Sequence, residues 1–309
     1  MSLRYISSAI LLLLAIGVDT RAHANFLFVA STGNHLSSCT QTAPCASLAE
    51  AITFAIPNDT IVCVDAIGDS GAILIDKSIE IECSGNRAAM GGGLTFGASI
   101  SINIPVSVND PFRTVRLRGL TIDGGLAVGP VKPRGIDIVS AAVVSIEDVV
   151  VSNMTLQGII DRRTGGQTKL FITDSIIRNN SGPGIVAAAA APGAVVLDNV
   201  RSENNAYGIA VAAGNSVVVN RSVISGNSVA GVIGDGGAQV VVNNSTISHN
   251  NIGVYSSQSV RLSNNDIAFN STAITGSSGT FGNNRFSGNG TMGTPPAGLG
   301  GASSDLGQQ

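Results

Sequence analysis

The chain has no tryptophan, only three tyrosines and three histidines among 309 residues, and charged side chains make up just 12% of it. Each shortage narrows the field of functions. Clefts that hold sugars or small ligands usually present aromatic faces, and few are on offer here. Nucleophile–base pairs and catalytic metal sites draw heavily on histidine, which is scarce. The four cysteines include no Cys-x-x-Cys spacing and have no histidine pair beside them, so no metal centre is expected. A net charge of −3 gives no blanket attraction to nucleic acid or to an anionic membrane. After the first 24 residues, no segment approaches the ~20 apolar residues that a spanning helix needs.

What the chain has instead is repetition. Between Gly135 and Asn289 one pattern is written seven times. The glycines that open the first six copies are Gly135, Gly158, Gly184, Gly208, Gly231 and Gly253, at steps of 23, 26, 24, 23 and 22 residues. Asn153, Asn179, Asn204, Asn227, Asn250, Asn270 and Asn289 close the seven. Each copy holds three short β-branched runs, such as Gly208-Ile209, Val217-Val218-Val219 and Val223-Ile224-Ser225, joined by Gly, Asn, Ser and Asp. A period in the low twenties without helical patterning means stacked coils. The Leu-x-x-Leu-x-Leu repeat, a six-residue beat and the Gly-Gly-x-Gly-x-Asp calcium repeat are all missing. That leaves an all-β chain wound as a right-handed parallel β-helix solenoid of roughly ten coils. Its inward ladder should contain Ile136, Ile159, Ile185, Ile209, Val232 and Val254, and its stacked asparagines are expected to serve the turns rather than a ligand.

The ends read differently. Residues 1–24 have the form of a secretory signal: Arg4, an apolar stretch from Ala9 to Val18, and Ala22-His23-Ala24 as a small-x-small cleavage site. Its removal would leave 15 basic and 19 acidic side chains and only two histidines, His35 and His249. Residues 25–59 form an N-terminal cap, where Ser47-Leu48-Ala49-Glu50 has the pattern of a helix start. The short capping helix that follows would plug the open end of the solenoid. The β-helix itself is expected over 60–289, and the Gly-, Pro- and Ser-rich residues 290–309 as a disordered tail. Cys63 and Cys83 lie one coil apart, which suits a disulfide between rungs, and Cys39 with Cys45 would close a small loop.

These repeats resemble those of the pectin-lyase-like superfamily of right-handed β-helices, over roughly Thr60 to Asn289. The upstream stretch resembles the start of secreted bacterial β-helix proteins, through Cys39-x5-Cys45 and Pro57-Asn58-Asp59-Thr60-Ile61-Val62. The resemblance implies export to the medium, periplasm or cell surface. It does not imply one activity, because such folds include lyases, hydrolases, epimerases and non-catalytic surface proteins. The Asn-Thr-Asp, Asp-Asp, Gly-His-Gly and Arg-Ile-Lys motifs of polygalacturonase-like hydrolases are absent, as is the Asp-Pro-His-Asp of alginate epimerases. No cofactor is expected unless the chain is pectate-lyase-like, in which case Ca²⁺ would be implied.

One uneven feature could carry chemistry. Nine of the 15 basic residues that remain after the signal lie between Asp110 and Arg178, among them Lys132, Lys169 and Arg178. Arg116 and Arg118 alternate on one strand, Asp137 follows a repeat glycine, and Asp161-Arg162-Arg163 comes one coil later. An outward strip of Arg116, Arg118, Asp137, Asp161, Arg162 and Arg163 would suit the carboxylates of an acidic polysaccharide. Asp137, Asp161, Arg162 and Arg163 are then the candidates for catalysis. Two readings follow: an exported non-catalytic β-helix that binds glycan or serves as a rigid surface element, and a polysaccharide lyase or related uronan-modifying enzyme.

Overall fold

In a computed structural model, residues 25–69, 71–91, 97–126, 134–190 and 192–299 are described. Residues 1–24, expected to be a secretory signal, and Lys132 lie outside them. Three short strands per coil build three faces of a parallel solenoid. The first face includes Arg134–Ser140, Ile159–Asp161, Ile185–Ala187, Tyr207–Val211 and Ala230–Gly234. The second includes Thr114–Arg118, Val143–Glu147, Thr168–Thr173 and Gly193–Asp198. The third is a ten-stranded sheet, which sets the solenoid at about ten turns.

The expected inward column forms as read. Ile136, Ile159, Ile185, Ile209, Val232 and Val254 stand in successive register, each at most 1% exposed. Burying one such side chain contributes roughly 1.5–3 kcal/mol, and each rung adds it again. The glycine before each is required by close approach rather than by an unusual φ. A Cβ on Gly208 would come within 2.5 Å of the Gly231 carbonyl oxygen and of Ile224 Cγ2.

The asparagines occupy two columns where the sequence suggested one. Asn153, Asn179 and Asn204 are left-handed corner residues with φ of 60°, 57° and 54°. Gly226, His249, Phe269 and Gly288 continue that column. The buried ladder is the next position: Asn180, Asn205, Asn227, Asn250 and Asn270, with the half-buried Asn289 at its end. Asn227 Nδ2 donates to Asn250 Oδ1 at 2.9 Å and to the Ser202 carbonyl at 3.2 Å, while its Oδ1 accepts from the Asn205 amide at 3.0 Å. These amides are consumed by the turns, as the sequence reading held. His249 is a corner residue stacked on Phe269 with ring centroids 5.4 Å apart.

Both disulfides are formed. Cys39 joins Cys45, and Cys63 joins Cys83 across adjacent rungs with Cα atoms 4.8 Å apart. The helix spans Leu48–Phe54, and the Glu50 amide donates to Ser47 Oγ at 3.2 Å. Its Leu48, Ala51 and Ile52 are buried.

The solenoid reaches further than expected at both ends. Phe26–Asn34 pairs in parallel with Asp59–Cys63, so the strand ladder starts inside the expected cap rather than at Thr60. Residues past Asn289 were expected to be disordered, yet Thr291–Gly293 and Ala297–Gly298 both pair with Thr272–Gly282. Met292 packs against the core, and main-chain pairing to an open edge needs no apolar period. Residues 300–309 lie outside the described part.

Candidate functional site

The six candidate side chains do not form one strip. They separate into three groups, because the corners of the coil turn them onto different faces and strand alternation turns one pair inward.

Arg116 and Arg118 point outward from the second face, and acids in the coils before and after hold them. Arg116 lies 3.4 Å from Glu80 and 3.1 Å from Glu147. Arg118 lies 2.7 Å from Glu82 and 3.0 Å from Glu147. Burial pulls the Arg118 guanidinium down, but the Glu82 and Glu147 carboxylates outweigh it and hold the group above its ordinary value. The same contacts act on Glu82. Burial pushes it up, while hydrogen bonds from Ser84 and the charge of Arg118 bring it below the ordinary glutamate value. Three carboxylates meet these two guanidinium groups, so the patch offers no unpaired positive charge.

Asp137 points outward from the first face, as its alternation with Ile136 and Ile138 requires. It is nevertheless only 1% exposed, because Arg162 from the next coil lies over it. Arg162 Nε donates to Asp137 Oδ1 at 2.7 Å and its Nη2 to Oδ2 at 3.0 Å. The hydrogen bonds to Asp137 raise the Arg162 guanidinium above its ordinary value. Arg134 Nη1 stands 3.6 Å from the same carboxylate, and its Nε donates to Gln157 Oε1 at 2.9 Å.

Asp161 and Arg163 are inside the solenoid. Asp161 sits in register with Ile138 of the coil before and Ala187 of the coil after, both inward positions. Arg163 donates from Nε and Nη2 to its carboxylate at 2.7 and 2.6 Å. Its Nη1 donates to the carbonyls of Ala141, Ala142 and Lys169 at 3.2–3.3 Å. Each side chain is 1% exposed. The expectation that these two lie on the surface is therefore wrong. They form a buried ion pair that also ties down the corner between the first and second faces.

A calcium ion fits none of this. Asp137 and Asp161 point to opposite sides of the wall, and each already takes a bidentate guanidinium. Among the described residues no group of three His, Cys, Asp or Glu side chains could hold a metal.

The concave feature on the first face lies below Arg162 and was missed in the sequence. Ile160, Val186, Ala210, Ile233 and Tyr255 follow Asp137 in one outward column. A groove of about 240 Å³ runs along it, bounded by Gln157, Tyr207 and Asp235. Beyond residue 24 the chain has two tyrosines, Tyr207 and Tyr255, and both stand on this face. The available signal was that each sits within two residues of a repeat glycine, where the first-face strand begins.

Residues 134–294 match the family model for the right-handed β-helix region. The chain belongs to the right-handed β-helix family. An alginate lyase from Paenibacillus sp. str. FPU-7 is similar, with a TM-score of 0.58 and 15% identity, over 88% of this chain and 99% of that one. XylC, solved in complex with xylose, gives a TM-score of 0.54 at 11% identity, over 84% and 68% of the two chains. Pectate lyase Pel9A gives 0.48 at 14% identity, over 88% and 78%. The first two likenesses show a shared fold and nothing more. No curated protein sequence matches the β-helix.

Proposed function

We propose that this β-helix is an exported, non-catalytic protein that binds glycan along its first face, on a rigid solenoid closed at its N-terminal end by the helix Leu48–Phe54. The observation that carries the reading is the fate of the candidate acids and bases. A lyase needs a basic group free to take a proton from the sugar. Here Asp137 and Asp161 each accept two hydrogen bonds from an arginine, and Arg162 and Arg163 are spent on them. Two disulfides support export into an oxidising compartment. The glycan part draws support from the groove with Tyr207 at its side, and from a fold that XylC carries in complex with xylose. An acidic polymer was expected from outward arginines, and the pairing of those arginines removes much of that support.

The alternative is a uronan lyase working at Asp137 and Arg162. It is tested by incubating the secreted protein with pectate, alginate and other acidic polysaccharides and following ultraviolet absorbance of unsaturated products. No absorbance change, together with measurable retention on a glycan array that Tyr207→Ala weakens, is the expected result. Turnover lost on Arg162→Ala would establish the lyase instead.

A further inference from the structure

We infer that the first-face groove selects glycans whose groove-facing part carries no anionic group, and that Asp235 is the residue that enforces this. The inference rests on the glycan-binding reading above and adds the chemistry of the ligand.

The groove spans four consecutive coils, from Gln157 to Asp235, about 15 Å at ~4.8 Å per rung. Its floor is the outward column Val186, Ala210 and Ile233, with Tyr207 at one side. Of the residues that line it, Asp235 alone is charged. Asp235 is exposed, and among the described residues its carboxylate has no ion-pair partner. The cations on the first-face run are Arg134 and Arg162, above the groove, and both are paired with Asp137. Turning Arg162 toward a ligand would break both of its hydrogen bonds to Asp137 and leave only Arg134, at 3.6 Å, beside that carboxylate.

The hydrogen-bond inventory points the same way. An ionised carboxylate only accepts. Asp235 can therefore take two sugar hydroxyls as donors, but it has nothing to offer a uronate carboxylate, which also only accepts. A polyuronate laid in this groove would bring its charges against Val186, Ala210 and Ile233 with no free guanidinium to meet them. It would also meet repulsion from Asp235. An uncharged chain loses nothing there, and its apolar C–H faces match the floor and Tyr207.

The test uses the full secreted protein and titration calorimetry at low salt. The probes are uncharged tetrasaccharides of glucose, xylose and mannose, with an oligogalacturonate and an oligomannuronate of the same length. At least one uncharged probe should bind about tenfold or more tighter than either uronate. Asp235→Asn should narrow that gap by about three- to tenfold. Raising the salt should narrow it in the wild type and not in the variant. A wild-type protein that binds a uronate as tightly as the uncharged probes overturns the inference but leaves glycan binding standing. So does a gap that Asp235→Asn leaves unchanged. Binding of no probe at all overturns the glycan-binding reading itself.

Discussion

Replacing Arg163 with alanine should be far more damaging than the same change at its neighbour Arg162, although both are arginines that clasp an aspartate. Arg163 is buried with Asp161, and its loss leaves a carboxylate inside the solenoid with no counter-charge. The carbonyls of Ala141, Ala142 and Lys169 lose the hydrogen bonds from Arg163 Nη1 at the same time, though Ala142 keeps the one from the Lys169 N–H. Breaking such a pair costs about 3–5 kcal/mol. At about 2–4 °C per kcal/mol for a chain of this size, the midpoint should fall by about 6–20 °C. Arg162 is 47% exposed and lies over Asp137 from outside, so its removal opens that carboxylate to water, and Arg134 stays nearby. That change should cost about 1 kcal/mol. The assay is thermal and denaturant unfolding followed by circular dichroism, with both probes compared to check that the transition is single. A double replacement, Asp161→Leu with Arg163→Met, should recover much of the loss, because the charge and its partner leave together. An Arg163→Ala protein within about 1 kcal/mol of wild type, or an Arg162→Ala protein as badly destabilised, would refute the assignment of Arg163 to the interior.

Three further outcomes are expected. Peptide mapping without reduction should recover Cys39 linked to Cys45 and Cys63 linked to Cys83, and replacing both Cys63 and Cys83 with serine should cost about 3 kcal/mol for the loop they close. Asn227→Ala should destabilise by about 2–5 kcal/mol, because it orphans the buried Asn205 amide and removes the two hydrogen bonds that Nδ2 gives to Asn250 Oδ1 and the Ser202 carbonyl; denaturant titration would measure it. Glu82 is held below its ordinary value in the folded chain, so its contribution is present at neutral pH and lost as the pH falls through its lowered folded value. Wild type and Glu82→Gln should therefore differ in stability at pH 7 and converge in acid, and a difference that grows toward low pH would contradict the Arg118 contact.

The period and the alternation are written in the sequence, and what depends on them alone was legible there. The glycine-to-glycine step places Ile136, Ile159 and Ile185 in one column, because a parallel rung leaves no other register that buries all of them. One coil of spacing puts Cys63 on Cys83 for the same reason. Alternation also held the means to put Asp161 inside, since it stands two residues after inward Ile159. What drew it outward in the sequence reading was its charge, and an inward aspartate makes sense only once Arg163 is seen beside it. Left to the tertiary structure were the corners. Whether a run turns sharply at a left-handed residue or passes through a longer loop decides which face its neighbours occupy. That is why Arg116 and Asp137, close in sequence, stand on different faces. It also explains why Val186, Ala210 and Ile233, each a bland residue in its own repeat, become a groove only when stacked: a concave surface belongs to several coils at once, and one coil's residues do not encode it.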